Sequence, residues 1–299
     1  MIAFMNVINN KKWWPYLFIA PSVILLVGFL FYPIANVFVL SLQNYNPTKP
    51  YANGFTGFDN FTQIFTNDKI FYSTLVISLK WVLSEVVLQL LLGLILALLL
   101  NQTFRFRGLA RAAAFLPWAI SGVITATMWS IMFNEHFGVI NDLLKRIGFL
   151  SQNMAWTANP STAFGSIVTA ELWRGIPFFA ITLLAAMQNI PGELYESCKV
   201  DGGGRWRSFF SITLPYLKDT IILTTLLRAV WEFNNVDLIF TMTGGGPANM
   251  TMTLPMYIAN QAIKSNNYGY GSALTVIGVI LLTIFAALYL KFSGFGKEE

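Results

Sequence analysis

Six apolar runs, each long enough to cross a bilayer, constrain this chain of 299 residues more than any other feature. A helix needs about 20 predominantly apolar residues to cross the roughly 30 Å hydrocarbon core of a membrane. Only 11% of the residues are charged, whereas a soluble domain has roughly 25%. We therefore predict an all-α integral membrane protein with six transmembrane helices. Their predicted bounds are about 16–42, 73–100, 112–133, 165–189, 219–242 and 272–290.

The distribution of Lys and Arg between these runs predicts the orientation of the chain. Alternate connections carry eleven of these residues on one side of the membrane and five on the other. The richer side is expected to be cytoplasmic, so both termini are predicted to be cytoplasmic. Residues 1–15 then form a cytoplasmic N-terminus, 16–292 a transmembrane domain and 293–299 a cytoplasmic tail. The first run is too long for a cleaved signal peptide and predicts a retained anchor helix.

The composition excludes several classes of function. The single cysteine, Cys198, and the single histidine, His136, exclude a disulfide framework, a Cys-based zinc cluster and a multi-His metal site. The sequence contains no phosphate-binding loop of the type G-x-x-x-x-G-K-S/T, no G-x-S-x-G motif and no H-E-x-x-H motif. We therefore predict no catalytic or metal-ligating residue. No nucleic-acid partner is predicted either, because membrane topology accounts for the net charge of +5.

The connection between the fourth and fifth runs, residues 190–218, is predicted to form two short helices that protrude into the cytoplasm. Residues 193–200 can form the first helix, and the glycines at 202–204 interrupt it. An amphipathic segment that begins near Trp206 follows before the fifth run. A helix lying on the inner leaflet would have the same basic and aromatic content, so this alternative stays open.

This loop resembles the permease loop of importers of the ATP-binding-cassette (ABC) class. That loop has Glu-Ala-Ala, three residues, Gly, nine residues, Ile, one residue and Leu-Pro. Every spacing is kept in this chain, with Ser197 and Cys198 in place of the two alanines. The resemblance implies that the loop couples to a separate cytoplasmic ATPase. The coupling residues would be Glu196, Ser197, Cys198, Asp201, Gly202, Ile212, Leu214 and Pro215.

Three further segments resemble the maltose-type permeases of carbohydrate importers. They are WWPYLFIAPSVILL at 13–26, ELWRGIPFF at 171–179 and WEFNNVDLIFTMTGGGPANMT at 231–251. The resemblance implies the type I ABC importer permease fold, a bacterial or archaeal cytoplasmic membrane, and import of a sugar such as an oligosaccharide. The implied partners are a second homologous permease subunit in a heterodimer, two copies of an ABC ATPase, and an extracellular or periplasmic sugar-binding protein. ATP and Mg would bind to the ATPase, and this chain would bind no cofactor.

Charged residues inside the fourth and fifth runs indicate a candidate substrate site. Charges at membrane depth are costly and usually face a cavity or a partner. Four polar or aromatic residues of the fifth run are spaced i, i+3, i+4 and i+7, so they share one helix face. The resemblance to maltose-type permeases implies sugar contacts on these two helices. The implied contact residues are Glu171, Trp173, Arg174, Gly175, Arg228, Trp231, Glu232 and Asn235.

The same charges have two other interpretations at this point. Arg228 with Glu232, and Glu171 with Arg174, have the spacing of structural ion pairs within one helix. Two arginines would alternatively suit an acidic sugar, because a guanidinium can bind a carboxylate with two hydrogen bonds. Both interpretations stay open.

An ion-coupled secondary transporter is the alternative function from a different class. Its coupling residues would be Glu85, Glu171, Glu232 or Asp237. An ion-driven carrier has no need of a loop that docks on an ATPase, so the loop favours the ABC class. Lys80 and Glu85, both within the second run, are predicted to be structural partners of other helices.

Overall fold

The computed structural model describes residues 14–295. Residues 1–13 and 296–299, which include most of the two predicted cytoplasmic ends, lie outside the described residues. The chain divides into two compact units. The first unit comprises Met1–Asp68 with Ile258–Ile277, and the second comprises Lys69–Tyr257 with Gly278–Glu299.

The first unit contains a long apolar helix followed by a small hairpin. Its elements are α1 Trp14–Ser41, β1 Gln43–Asn44, β2 Gly54–Phe55 and α2 Asp59–Asn67. The two strands pair antiparallel with Gln43 opposite Phe55. The Asn60 side chain donates hydrogen bonds to the carbonyl oxygens of Ser41 and Gln43, at 3.0 and 2.9 Å. These bonds hold the start of α2 against the end of α1.

The second unit contains most of the remaining helices. Its elements are α3 Lys69–Asn101, α4 Arg107–Phe115, α5 Gly122–Met132, α6 Val139–Arg146, α7 Ala163–Gln188, α8 Gly192–Val200, α9 Arg205–Ser208, α10 Leu214–Phe233 and α11 Asp237–Met242. Helices α12 Leu254–Ala259 and α13 Tyr268–Ser293 are divided between the two units. A 3₁₀ segment, Leu116–Ala119, follows α4, and a π-helical turn, Phe209–Thr213, leads from α9 into α10.

The core of the second unit is formed by α3, α7 and α10. A Cβ atom at Gly93 of α3 would collide with the Cβ atom of Phe179 on α7, so the glycine allows these two helices to approach closely. Small residues have this role in membrane helices, because packing rather than hydrophobic burial holds such helices together. The buried cluster comprises Val86, Ala97, Leu100, Phe178, Phe179, Leu183, Leu184, Met187, Leu217 and Ala229.

Four helices in the described part of the chain are long and apolar enough to cross a membrane: α1, α3, α7 and α13. The third predicted run differs from a simple helix. It forms two helical segments, Arg107–Ala119 and Gly122–Met132, that meet at 95°. Pro117 lies in the 3₁₀ segment, and Ile120 after it has an extended backbone, so the helix stops and restarts at Gly122. If this bent pair is one crossing, the described residues contain five candidate spans.

The fifth predicted run also differs from a single helix. It consists of α10 and α11, separated by Asn234, Asn235 and Val236. The Asn234 side chain donates a hydrogen bond to the carbonyl oxygen of Val230 at 2.8 Å. Asparagine side chains compete with backbone hydrogen bonds in this way, which favours the end of a helix. After the break, α11 packs beside α5, and a polar recess at the break is lined by charged residues of α7 and α10.

Candidate functional site

A polar recess of about 170 Å³ lies at the break between α10 and α11. It is lined by Glu171, Arg174, Arg228, Trp231, Glu232, Asn234, Asn235, Val236 and Asp237. Six of the eight residues that the sequence indicates as sugar contacts are in this lining. The structure thus brings the charged faces of α7 and α10 to one place.

Glu171 of α7 is fully buried and binds both arginines of the recess. Its Oε1 atom accepts a hydrogen bond from Nη2 of Arg174 at 2.7 Å and one from Nη2 of Arg228 at 2.9 Å. Its Oε2 atom accepts a further bond from Nε of Arg174 at 3.0 Å. One carboxylate therefore joins two helices, since Arg174 is on α7 and Arg228 is on α10.

Arg228 is the centre of a buried network that reaches α3. Its Nη2 atom lies 2.6 Å from Oε1 of Glu232, and its Nε atom donates to Oε1 of Gln89 at 2.6 Å. The amide nitrogen of Gln89 donates to Glu232 at 3.1 Å and to Glu85 at 2.8 Å. The network therefore ties α3, α7 and α10 together through charged hydrogen bonds.

The geometry contains the ion pairs that the helical spacing indicated. Glu171 pairs with Arg174 and Glu232 with Arg228, and a further pair joins Arg228 to Glu171 across two helices. Buried charges are costly unless they are paired and hydrogen-bonded. Glu85 is buried, as the prediction of a structural partner requires, and it reaches α10 through Gln89, whereas Lys80 is exposed.

Two predicted contact residues lie outside the lining of the recess. Trp173 packs against Trp129 of α5, with the ring centroids 6.3 Å apart. Gly175 is buried behind the network, where a Cβ atom would collide with the Gln89 amide and the Arg228 guanidinium. Glycine at this position therefore allows α7 to approach Gln89 and Arg228, and neither residue faces the recess in this structure.

Trp231 provides the aromatic wall of the recess. It is 44% exposed, and its ring lies 5.3 Å from the ring of Phe178. The guanidinium carbon of Arg228 lies 5.8 Å from the centre of the same Phe178 ring. Phe178 therefore supports both an aromatic side chain and a cation of the recess. The exposed Trp231 face, with adjacent carboxylates and amides, suits a ligand that has apolar ring faces and many hydroxyl groups.

The predicted coupling loop forms two short helices, as the sequence indicated. Helix α8 carries Glu196 and Ser197 on its exposed surface, and Gly202 in the turn after it has φ +74°. The next glycine, Gly203, donates its backbone N–H to the carbonyl oxygen of Cys198 at 2.7 Å. A Cβ atom at Gly203 would also collide with the Cys198 sulfur. Cys198 therefore packs under the glycine turn.

The end of the coupling loop is fixed to α10 by side chains. The Tyr195 hydroxyl lies 3.0 Å from the hydroxyl of Thr213, which immediately precedes Leu214. On the other side of the loop, Trp206 and Phe210 stack at 6.3 Å with both rings exposed. The loop is thus an exposed knob that continues directly into the helix carrying Arg228 and Glu232.

Sequence reasoning did not single out Gln89 as part of the site. The only signal was one amide within an apolar run, four residues after Glu85 and therefore on the same helix face. The sequence indicates Asp237 only as a candidate for ion coupling, yet the residue lines the recess. Among residues 14–295, no group of three or more Asp, Glu, His or Cys residues is arranged to hold a metal ion.

These observations define a class of protein. The chain has several bilayer-length helices, a polar recess lined by α7, α10 and α11, and an exposed knob at the start of α10. Intramembrane polar sites of this kind are typical of membrane transport subunits. Residues 89–293 match the family described as the inner membrane component of binding-protein-dependent transport systems. The chain belongs to this family.

Individual relatives agree with the family. The chain is 34% identical to the trehalose/maltose transport system permease protein of Thermococcus litoralis, over 95% of this chain and 94% of that protein. It is 36% identical to the sulfoquinovosyl glycerol transport system permease protein of Agrobacterium fabrum, over 92% and 88% of the two chains. Its fold matches a chain of a bacterial ABC transporter that imports the acidic polysaccharide alginate, with a TM-score of 0.83, 21% identity and 98% of both chains covered.

The family match gives the chain its general role. It is a multi-pass membrane permease subunit of an ABC importer, and ATP is hydrolysed by a separate chain. The alternative of an ion-coupled secondary transporter is not supported by the family or by these relatives.

Proposed function

We propose that this chain forms half of the translocation pathway of an ATP-driven sugar importer, and that the recess beside Trp231 is its part of the sugar-binding site. The family match over residues 89–293 is the observation that carries the transport role. The relative that transports trehalose and maltose supports a sugar as the substrate. The recess supports the same substrate class, because it combines an exposed aromatic ring with hydrogen-bonding groups.

The proposed topology has six crossings and cytoplasmic termini. The crossings are α1, α3, the bent pair of α4 and α5, α7, α10 with α11, and α13. Helix α10 carries Arg228 and Glu232, but both are buried against α3 and α7 and are not exposed to lipid. Buried and paired charges of this kind are compatible with a membrane crossing. The excess of Lys and Arg in alternate connections supports a cytoplasmic coupling loop.

The proposed coupling runs from the loop to the recess through α10. The surface of α8, with Glu196 and Ser197, would dock on the ATPase, as the resemblance to the ABC permease loop implies. Thr213 holds Tyr195 of α8 at the start of α10, so a displacement of the knob would be transmitted to Arg228 and Trp231. The full transporter would contain a second permease subunit, two ATPase copies that hold ATP and Mg, and an external sugar-binding protein. We propose that it lies in the cytoplasmic membrane of a bacterium or an archaeon.

Uptake of labelled disaccharides by cells that express the complete transporter tests the recess. We expect Trp231→Ala to reduce uptake at least roughly fivefold at limiting sugar while the subunits still co-purify, because loss of an aromatic stacking partner costs about 1–3 kcal/mol. Trp118 is the matched control, since it is 46% exposed and lies outside the lining of the recess. Uptake that is equal in both variants would remove Trp231 from the pathway.

A further inference from the structure

We propose that the recess binds uncharged sugars in preference to acidic ones, and that the carboxylate of Asp237 sets this preference. The proposal rests on the function proposed above, since it concerns the substrate class of the same recess. The relatives leave this question open, because one is named for trehalose and maltose and the structural neighbour for an acidic polysaccharide. We therefore infer whether the substrate is acidic or uncharged from the charged residues that line the recess in this chain.

Each arginine of the recess is already paired with a protein carboxylate. Arg228 is only 4% exposed, and its Nε and Nη2 atoms bind Gln89, Glu171 and Glu232. Arg174 uses Nε and Nη2 in a two-bond contact with Glu171. An acidic sugar would have to displace a protein carboxylate to pair with Arg228, whereas at Arg174 it would reach only Nη1, which flanks Gly122 together with Asp237. Such an exchange would leave Glu171 or Glu232 buried without its partner, which is costly.

Pairing the two arginines with two carboxylates leaves one negative charge in the recess. Glu171 and Glu232 are each held by a guanidinium, whereas the third carboxylate is that of Asp237. Within the described part of the chain, the Asp237 carboxylate makes no hydrogen bond or ion pair, and the residue is exposed. Asp237 lies near the Arg174 guanidinium, since both flank Gly122, but this guanidinium donates its hydrogen bonds to Glu171.

This arrangement suits hydroxyl groups and opposes anions. A carboxylate only accepts hydrogen bonds, and sugar hydroxyls donate them. Asn235 and Asn234 in the same lining can donate to ring and hydroxyl oxygens. A ligand carboxylate would meet the like charge of Asp237, which makes no ion pair among the described residues. At a separation of about 8 Å, and a dielectric constant between those of protein and water, one such charge lowers binding roughly fivefold.

Equilibrium binding to the assembled transporter in lipid nanodiscs tests the proposal. The binding protein and ATP are omitted, so the permease subunits alone select the ligand. The probes are maltose and cellobiose, each compared with its uronic acid analogue, in which the C6 hydroxymethyl group of the non-reducing glucose is a carboxylate and both rings are kept. We expect each uncharged sugar to bind at least roughly fivefold more tightly than its acid, and this ratio to shrink at high ionic strength.

Variants of Asp237 assign the preference to this side chain. Asp237→Asn should lower the ratio at least roughly threefold, and Asp237→Glu should retain it, because only the first removes the charge. The control is Asp142→Asn, an Asp on the exposed surface of α6 that pairs with Arg146. It should leave the ratio unchanged. Co-purification of all subunits with each variant shows that the transporter still assembles.

The outcomes separate this proposal from the proposed function. If each acid binds as tightly as its uncharged sugar, or more tightly, the charge selection is overturned, whereas the proposed role as a sugar importer is not. A ratio that is the same in Asp237→Asn as in the unchanged protein would overturn the role of Asp237. Failure of every sugar and every acid to bind, together with no uptake, would overturn the proposed function itself.

Discussion

Replacing Arg228 by Met tests whether the buried network holds the helices together. The guanidinium contacts Glu171 at 2.9 Å, Glu232 at 2.6 Å and Gln89 at 2.6 Å, and only 5% of the side chain is exposed. Methionine has a similar length and packs well among apolar neighbours, but it supplies no charge and no donor. After the change, Glu171 keeps Arg174, whereas Glu232 keeps only the amides of Gln89 and Asn235.

The expected loss of stability follows from leaving a carboxylate buried without a cation. Breaking a buried ion pair by removing one partner costs about 3–5 kcal/mol. With a shift of roughly 2–4 °C per kcal/mol for chains of this size, the thermal midpoint should fall by about 10 °C. The double variant Arg228→Met with Glu232→Gln removes both charges of the pair. It should recover at least half of this loss, because no unpaired carboxylate then remains on α10.

Thermal unfolding of the purified transporter in detergent, followed by the loss of intact complex on size exclusion, measures these shifts. Arg146→Met is the control, because Arg146 makes a 2.9 Å ion pair with Asp142 while 76% of its side chain is exposed. An exposed pair contributes about 0–1 kcal/mol, so this variant should unfold close to the unchanged protein. An Arg228→Met midpoint equal to that of the control would refute the argument for a structural network. A double variant, Arg228→Met with Glu232→Gln, that is less stable than Arg228→Met alone would refute it as well.

The remaining predictions concern close packing and coupling. Gly175→Ala should destabilise the transporter by about 1–3 kcal/mol, because the new Cβ atom meets the Gln89 amide and the Arg228 guanidinium. Gly165→Ala on the same helix, where nothing lies within 4 Å of the added atom, should not destabilise it, and equal thermal midpoints would contradict this explanation. Gly202→Val and Glu196→Lys should each abolish sugar uptake while the protein still reaches the membrane. The backbone at Gly202 has a φ of +74°, a conformation that costs a branched residue about 1–2 kcal/mol. The Glu196→Lys change reverses a charge on the exposed face of α8. Uptake that survives both changes, measured with labelled sugar, would exclude the loop from coupling.

Much of the architecture follows from the sequence because apolar length and spacing are local properties. Four of the six apolar runs are continuous helices with nearly the predicted bounds, and the two helices of the coupling loop are present. The break between α10 and α11 could not be predicted from the hydropathy of residues 219–242. It lies at two adjacent asparagines, and the Asn234 side chain competes with the helical hydrogen bonds at the Val230 carbonyl oxygen.

The candidate site was predicted on the two helices whose charges are regularly spaced. Helical periodicity places Arg228 and Glu232 on one face, but it cannot show which residue of another helix lies opposite. Gln89 of α3 contacts Arg228 across 139 positions of the chain, and only the folded structure brings them together. Gly175 lies on the charged face of α7, but it serves helix packing, a role that appears only when the neighbouring helix is known.

The most direct test of the account is the ATPase activity of the purified transporter in lipid vesicles, measured together with sugar uptake. If this chain is the permease of an ABC importer, an ATPase subunit co-purifies with it. Addition of the external binding protein loaded with its sugar then raises ATP hydrolysis and drives uptake without any ion gradient. If no ATPase co-purifies and a proton or sodium gradient alone drives uptake, the account of coupling through the Glu196–Pro215 loop is contradicted.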